Sequence, residues 1–171
     1  MVRLMATYQE ILRAIAASGA DYVWIGLNAA SVYGSTLVSY DFDFFIRPEP
    51  AHLDKAREAF RKLGMVETFP KVASVNLIAT EATDTFDDPH GGPAVDLITA
   101  ISGPSFDEVW KGHQSADFQG LRVRVASLEH IIASKRAAGR DKDLYAIKRL
   151  KEDLGGEVRE ARARYRTRRA K

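Results

Sequence analysis

The chain of 171 residues contains no cysteine, which removes both a disulfide framework and any thiolate metal site. It also lacks an apolar run long enough to cross a bilayer. After Arg3 the chain turns polar and amphipathic, so no secretory-signal core is expected. There is no internal repeat, and the Arg-rich end is the one low-complexity stretch. Histidine is sparse: His52, His90, His113 and His130 are scattered without ligand spacing, and His90 reads as a loop residue before Gly91-Gly92. With 46% apolar and 28% charged residues, the composition is that of an ordinary soluble globular protein with enough apolar surface for a core. The default expectation is one domain, with room for a helical extension, in the cytoplasm.

Charge is unevenly spread. From Gly156 to Lys171 there are seven basic residues against Glu157 and Glu160, a net of +5, which leaves −3 for residues 1–155 out of the total of +2. A mildly acidic body with a basic tail is suited to a phosphate-rich partner such as RNA, and equally to a solvated helix end.

Local patterns divide the chain. Thr7 and Glu10 form a capping box, and Ile11, Leu12 and Ile15 mark one face of a helix that stops at Gly19. Tyr22 to Ile25 suits a buried strand that ends in Gly26, and Asn28 to Tyr33 suits a short helix closed by Gly34. Asp41 to Ile46 reads as a strand ended by Arg47-Pro48. Leu53, Ala56, Phe60 and Leu63 form a helical stripe closed by Gly64. Val72 to Thr80 is predicted to be a strand, Glu81 to Pro93 a polar loop, and Ala94 to Ala100 and Gly120 to Val125 further strands. Ser127 caps a helix over Leu128 to Ala138, Gly139 breaks it, and Asp141 to Leu154 is helical again. The sum is an α/β (α+β) body with a mixed sheet over residues 1–126, followed by a C-terminal helical subdomain over 127–171. Trp24 and Trp110 are expected in the core.

Three carboxylates stand out. Asp41 and Asp43 are two apart, so on one strand they share a face while Phe42 and Phe44 point to the core. Neighbouring carboxylates repel unless a positive charge lies between them, and hard divalent cations prefer oxygen ligands. Asp96 lies inside the apolar run V-D-L-I, where an unpartnered carboxylate is expensive to bury. If the two strands are adjacent, the three aspartates bracket two metal ions roughly 4 Å apart, as in-line phosphoryl transfer requires.

The stretch I-G-L-N-A-A-S-V-Y-G (25–34), then S-Y-D-F-D-F-F-I (39–46), then A-V-D-L-I resembles the nucleotidyltransferase superfamily built on the polymerase-β-like core. The segment A-S-L-E-H-I-I-A-S-K-R-A-A-G-R-D-K-D-L is similar to the helical region of small bacterial members, toxin-like abortive-infection and antibiotic nucleotidyltransferases among them. The resemblance implies that Asp41, Asp43 and Asp96 hold Mg²⁺ or Mn²⁺ and carry catalysis. It places Gly26, Leu27, Asn28 and Ser39 at the nucleotide, with Lys135, Arg140 and Lys142 on its phosphates and Asp143 orienting one of those cations. The implied reaction transfers NMP from an NTP to a hydroxyl acceptor. That acceptor is RNA such as tRNA, bound through the basic tail, or a small molecule. A toxin–antitoxin setting would add a cognate protein partner. Leu27 stands where the family usually has Gly or Ser, which motivates the alternative of a degenerate member that binds or regulates without catalysis.

Overall fold

The computed structural model describes residues 5–37 and 39–156. The first helix, α1 (Tyr8–Ala17), opens on the expected Thr7–Glu10 capping box and buries Ile11, Leu12 and Ile15. It leads to β1 (Tyr22–Ile25), buried along its whole length, then α2 (Gly26–Ala30) and a 3₁₀ turn over Ser31–Tyr33. Next come β2 (Phe42–Ile46), α3 (Pro50–Lys62), β3 (Val66–Phe69) and α4 (Ser74–Thr80). The chain continues through β4 (Asp84–Asp87), β5 (Val95–Ile98), α5 (Phe106–Gly112), β6 (Gln114–Phe118) and β7 (Leu121–Val125). It closes with α6 (Leu128–Ala138) and α7 (Asp141–Leu154).

The strands form one mixed sheet in the order β3-β4-β5-β2-β1-β7-β6. The β2–β5 and β1–β7 pairs are parallel, and the rest are antiparallel. An aromatic ladder crosses one face: Trp24 stacks on Phe42 at 5.5 Å between centroids, Phe42 on Phe44 at 5.9 Å, and Phe44 on Phe60 of α3 at 5.9 Å. Because side chains alternate along β2, committing Phe42 and Phe44 to this face turns Asp43 to the other. Leu128, Ile131, Ile132 and Leu150 belong to the same core as the sheet residues, so α6 and α7 pack onto the body.

Several expectations are corrected. Val72–Thr80 is not a strand: Ser74 and Leu77 are its buried residues, at helical spacing, and Thr80 Oγ1 donates back to the carbonyl of Asn76. The β-branched residues that suggested a strand sit on a helix because burial spacing outweighs propensity. The expected loop 81–93 contains β4, a strand interior to the sheet. Its polar sequence hides it, because Asp84 is fully buried against Arg57 of α3. β2 opens at Phe42, so Asp41 stands on an exposed bend at its head. The edge strands β3 and β6 carry too little periodic burial to be read from the sequence, and α5, which opens on a Ser105–Glu108 capping box and buries Phe106 and Val109, is a further helix beyond the expected elements. The basic tail from Glu157 onward lies outside the described residues. Among the described residues, no helix is long and apolar enough to cross a membrane.

The Arg57–Asp84 pair secures β4. Arg57 Nε donates to Asp84 Oδ2 at 2.5 Å, Nη1 donates to Ser74 Oγ at 2.9 Å, and Nη2 lies 3.7 Å from Glu67 Oε1. Removing one partner of a buried pair strands the other charge. Arg57→Ala is therefore expected to lower unfolding free energy by about 3–5 kcal/mol in urea denaturation. A loss below about 1 kcal/mol would show that the pair does not hold the strand.

Candidate active site

The parallel pairing of β2 and β5 sets Asp43 directly beside Asp96. Paired residues on adjacent strands project to the same face, so the two carboxylates are neighbours opposite the aromatic ladder. Thr85 of β4 is the next residue in the same row, and its Oγ1 donates to Asp96 Oδ1 at 2.6 Å. The consequence is electrostatic. Burial, then the charge of Asp96, pushes the Asp43 carboxyl up to about 7, with Asp41 adding to the rise and Lys135 and Lys142 opposing it. Asp96 is raised too, by burial first; the Thr85 hydrogen bond opposes that rise and the charges of Asp41 and Asp87 add to it. Asp41 is exposed, yet its field falls on both buried acids.

Gly26 follows β1, whose last residue, Ile25, pairs with Asp43. It adopts φ +83°, and a β-carbon there would overlap Asp43 Oδ2. Glycine is thus required by the backbone conformation and by the close carboxylate together. Asn28 is buried on α2 and its Nδ2 donates to the carbonyl of Asp41 at 3.4 Å, which ties the helix to the head of β2. Leu27 and Ser39 are half-buried, and neither lines the cavity described next.

A cavity of about 350 Å³ opens between the sheet and the two C-terminal helices. Gly26, Asp43, His130, Lys135, Arg140 and Asp143 line it. Lys135 Nζ lies 3.7 Å from Asp143 Oδ1, while Arg140 donates through Nε to Asp143 Oδ2 at 2.5 Å and through Nη2 to Oδ1 at 3.2 Å. Burial lowers the Lys135 ammonium pKa, and the carboxylates of Asp143 and Asp43 work against that. Burial acts to raise Asp143, but the Arg140 hydrogen bond and the Lys135 charge hold it below the usual carboxylate range. Lys142 is exposed and outside the cavity, although its charge acts on Asp43. Asp41 and Asp96 are also outside it, so Asp43 joins the cavity to the acidic row.

Two site residues escaped the sequence reading. Thr85 was hidden in the expected loop. His130 is buried at the start of α6 with Nδ1 2.8 Å from Ser127 Oγ, and a single histidine on an apolar helix gives no signal of its own.

The acidic row offers only oxygen donors, the set that suits a hard divalent cation. Asp43 and Asp96 stand side by side, and the charge of Asp96 adds to burial in raising the Asp43 carboxyl, a donor arrangement that fits such an ion. Among the described residues, no three Asp, Glu or His side chains are close enough to form a complete ligand group.

The sequence matches no protein-family model and no curated protein. The fold has clear counterparts among solved structures. The antibiotic-resistance factor ANT(2'')-Ia, in its solution structure, aligns with a TM-score of 0.60 at 16% identity, covering 95% of this chain and 90% of that one. The crystal structure of ANT(2'')-Ia in complex with adenylyl-2''-tobramycin aligns with a TM-score of 0.58 at 17% identity, covering 94% and 95% of the two chains. A candidate nucleotidyltransferase from Thermotoga maritima aligns with a TM-score of 0.57 at 13% identity, covering 84% and 89%. The chain has the nucleotidyltransferase fold, an α/β architecture with a seven-stranded mixed sheet.

The raised Asp43 carboxyl links stability to pH. Without metal, the native state keeps a proton on Asp43 up to about pH 7, whereas an unfolded aspartate loses it near pH 4. The favourable contribution is therefore complete below about pH 4 and lost as pH rises through about 7. Asp43→Asn, which mimics the neutral form, is expected to match the native chain in urea denaturation with EDTA at pH 4 and to exceed it at pH 8. Equal stability at pH 8 would contradict the raising of the Asp43 carboxyl by burial and the charge of Asp96.

Proposed function

We propose that this protein is a metal-dependent nucleotidyltransferase that moves a nucleoside monophosphate from an NTP to a hydroxyl acceptor. The observation that carries the reading is the Asp43–Asp96 pairing on β2 and β5, with Asp43 facing the cavity that Lys135 and Arg140 line. The similarity to structures that include an antibiotic nucleotidyltransferase supports it at the level of the fold.

Asp43, Asp96 and Asp41 would hold Mg²⁺ or Mn²⁺, which when bound neutralises phosphate charge and activates the acceptor hydroxyl. The acceptor oxygen forms a bond to the α-phosphorus, the α–β phosphoanhydride bond breaks, and pyrophosphate leaves. Lys135 and Arg140 bind and orient the phosphates from the helical side of the cavity. Asp143 keeps both cations placed before the nucleotide arrives. Lys142 contributes charge from the surface. Gly26 gives the chain room to turn beside Asp43, and the following residues Leu27 and Asn28, with Ser39, form the nucleotide-facing turn and its approach.

The acceptor is RNA such as tRNA, captured by the basic tail, or a small hydroxyl-bearing molecule; the first would suit a cytoplasmic toxin with a cognate protein partner. Protein incubated with Mg²⁺, α-labelled NTPs and either cell RNA or an antibiotic panel is expected to label one acceptor class. Asp41→Ala, with its circular dichroism unchanged, should lower that labelling at least about a hundredfold, the scale of losing several kcal/mol of metal assistance. Failure with all four NTPs and both acceptor classes would favour a non-catalytic binding protein that keeps the fold. If RNA is the acceptor, deleting residues 156–171 should weaken binding and flatten its salt dependence, because those cations release counterions from the phosphates. RNA binding indifferent to salt and to the tail would point to the small-molecule acceptor instead.

A further inference from the structure

β4 is held from both faces of the sheet, and the two contacts differ in kind. Asp84 and Phe86 are fully buried on one face, where Asp84 is locked to Arg57 of α3. Thr85 falls between them, so strand alternation turns it to the opposite face, the face of the acidic row. There it pairs laterally with Asp96, which pairs in turn with Asp43. Thr85 Oγ1 donates to Asp96 Oδ1 at 2.6 Å, a short charge-assisted bond from a β-branched side chain that has few rotamers available. One oxygen of Asp96 is thereby engaged, and the carboxylate plane is fixed by a strand that is itself pinned from behind.

We propose that Thr85 is a positioning residue for the metal site, holding Asp96 by one oxygen so that the other is presented to a divalent cation shared with Asp43. The inference deepens the nucleotidyltransferase reading and rests on it. The hydroxyl stands on a strand whose other face is anchored by a buried ion pair, so its position is fixed by the fold and not by Asp96 alone. Here the chain of contacts Arg57–Asp84, β4, Thr85, Asp96 runs without a break into the row. Partners that orient metal ligands in this way are worth about 10–100-fold in metal affinity.

The experiment titrates Mn²⁺ into the full-length protein, with no nucleotide, and reads free Mn²⁺ by electron paramagnetic resonance. Thr85→Val keeps the shape of the side chain and removes the donor; Thr85→Ser keeps the donor. The expected result is a loss of Mn²⁺ affinity of about tenfold or more in Thr85→Val, recovered to within about threefold of the native chain by Thr85→Ser. Urea denaturation in EDTA identifies folded variants and separates a general loss of stability from a loss at the metal. Native affinity in a folded Thr85→Val overturns the role of Thr85 and leaves the functional reading standing. If Thr85→Val does not fold, Thr85→Ser and Thr85→Ala carry the test: affinity kept in Thr85→Ser and lost in Thr85→Ala is expected, and equal affinity in both overturns the proposal. Absence of Mn²⁺ binding by the native chain overturns the proposal together with the reading on which it rests.

Discussion

The structure turns on two carboxylates that the backbone forces together. Parallel pairing of β2 with β5 puts Asp43 beside Asp96, and no rotation of either strand can separate them without exposing the aromatic residues on the other face. Burial, with the charge of Asp96 added, raises the Asp43 carboxyl to about 7, and burial, with the charges of Asp41 and Asp87 added, raises Asp96. A fold that keeps such a conflict at the junction of its sheet and a cavity gives up stability there, which is the usual mark of a functional site.

Much of the surrounding architecture bears on that conflict. Gly26 has no side chain where one would strike the Asp43 carboxylate, so the end of β1 can approach it. Asn28 fastens the head of β2 through the carbonyl of Asp41. On the opposite side of the cavity, Asp143 gathers Lys135 and Arg140, two cations that would otherwise spread into solvent or collapse onto Asp43. Positive and negative groups are therefore held apart across a space of about 350 Å³. A divalent cation on the acidic side and phosphates on the basic side would satisfy both walls at once.

How much of this was legible depended on the range of the interaction. The D-F-D-F-F-I segment and the apolar run around Asp96 announced themselves because a carboxylate in an apolar strand is anomalous within a few residues. The Thr7–Glu10 capping box and the glycine stops were equally local, although the Ser105–Glu108 box that opens α5 went unread. What stayed hidden needed a distant partner to make sense. Asp84 reads as loop chemistry until Arg57, twenty-seven residues earlier, neutralises it inside the sheet; with β4 unseen, Thr85 could not be placed beside Asp96. The Val72–Thr80 segment failed for a related reason, since its β-branched residues speak for a strand while Ser74 and Leu77 pack at helical spacing against α3 and the sheet. Leu27 is a departure in the turn; the structure sets it on α2 next to Gly26, and it is not among the residues that line the cavity.

The central claim is that the Asp43–Asp96 row is a metal site serving the neighbouring cavity. Its most direct test is a crystal structure with Mn²⁺ and a non-hydrolysable NTP analogue, using anomalous scattering to locate the metal. The expected result is a peak ligated by Asp43 and Asp96, with Asp41 drawn in from its bend and the phosphates against Lys135 and Arg140. An ordered analogue in the cavity with no anomalous peak at the acidic row, or a peak only elsewhere on the molecule, would contradict it.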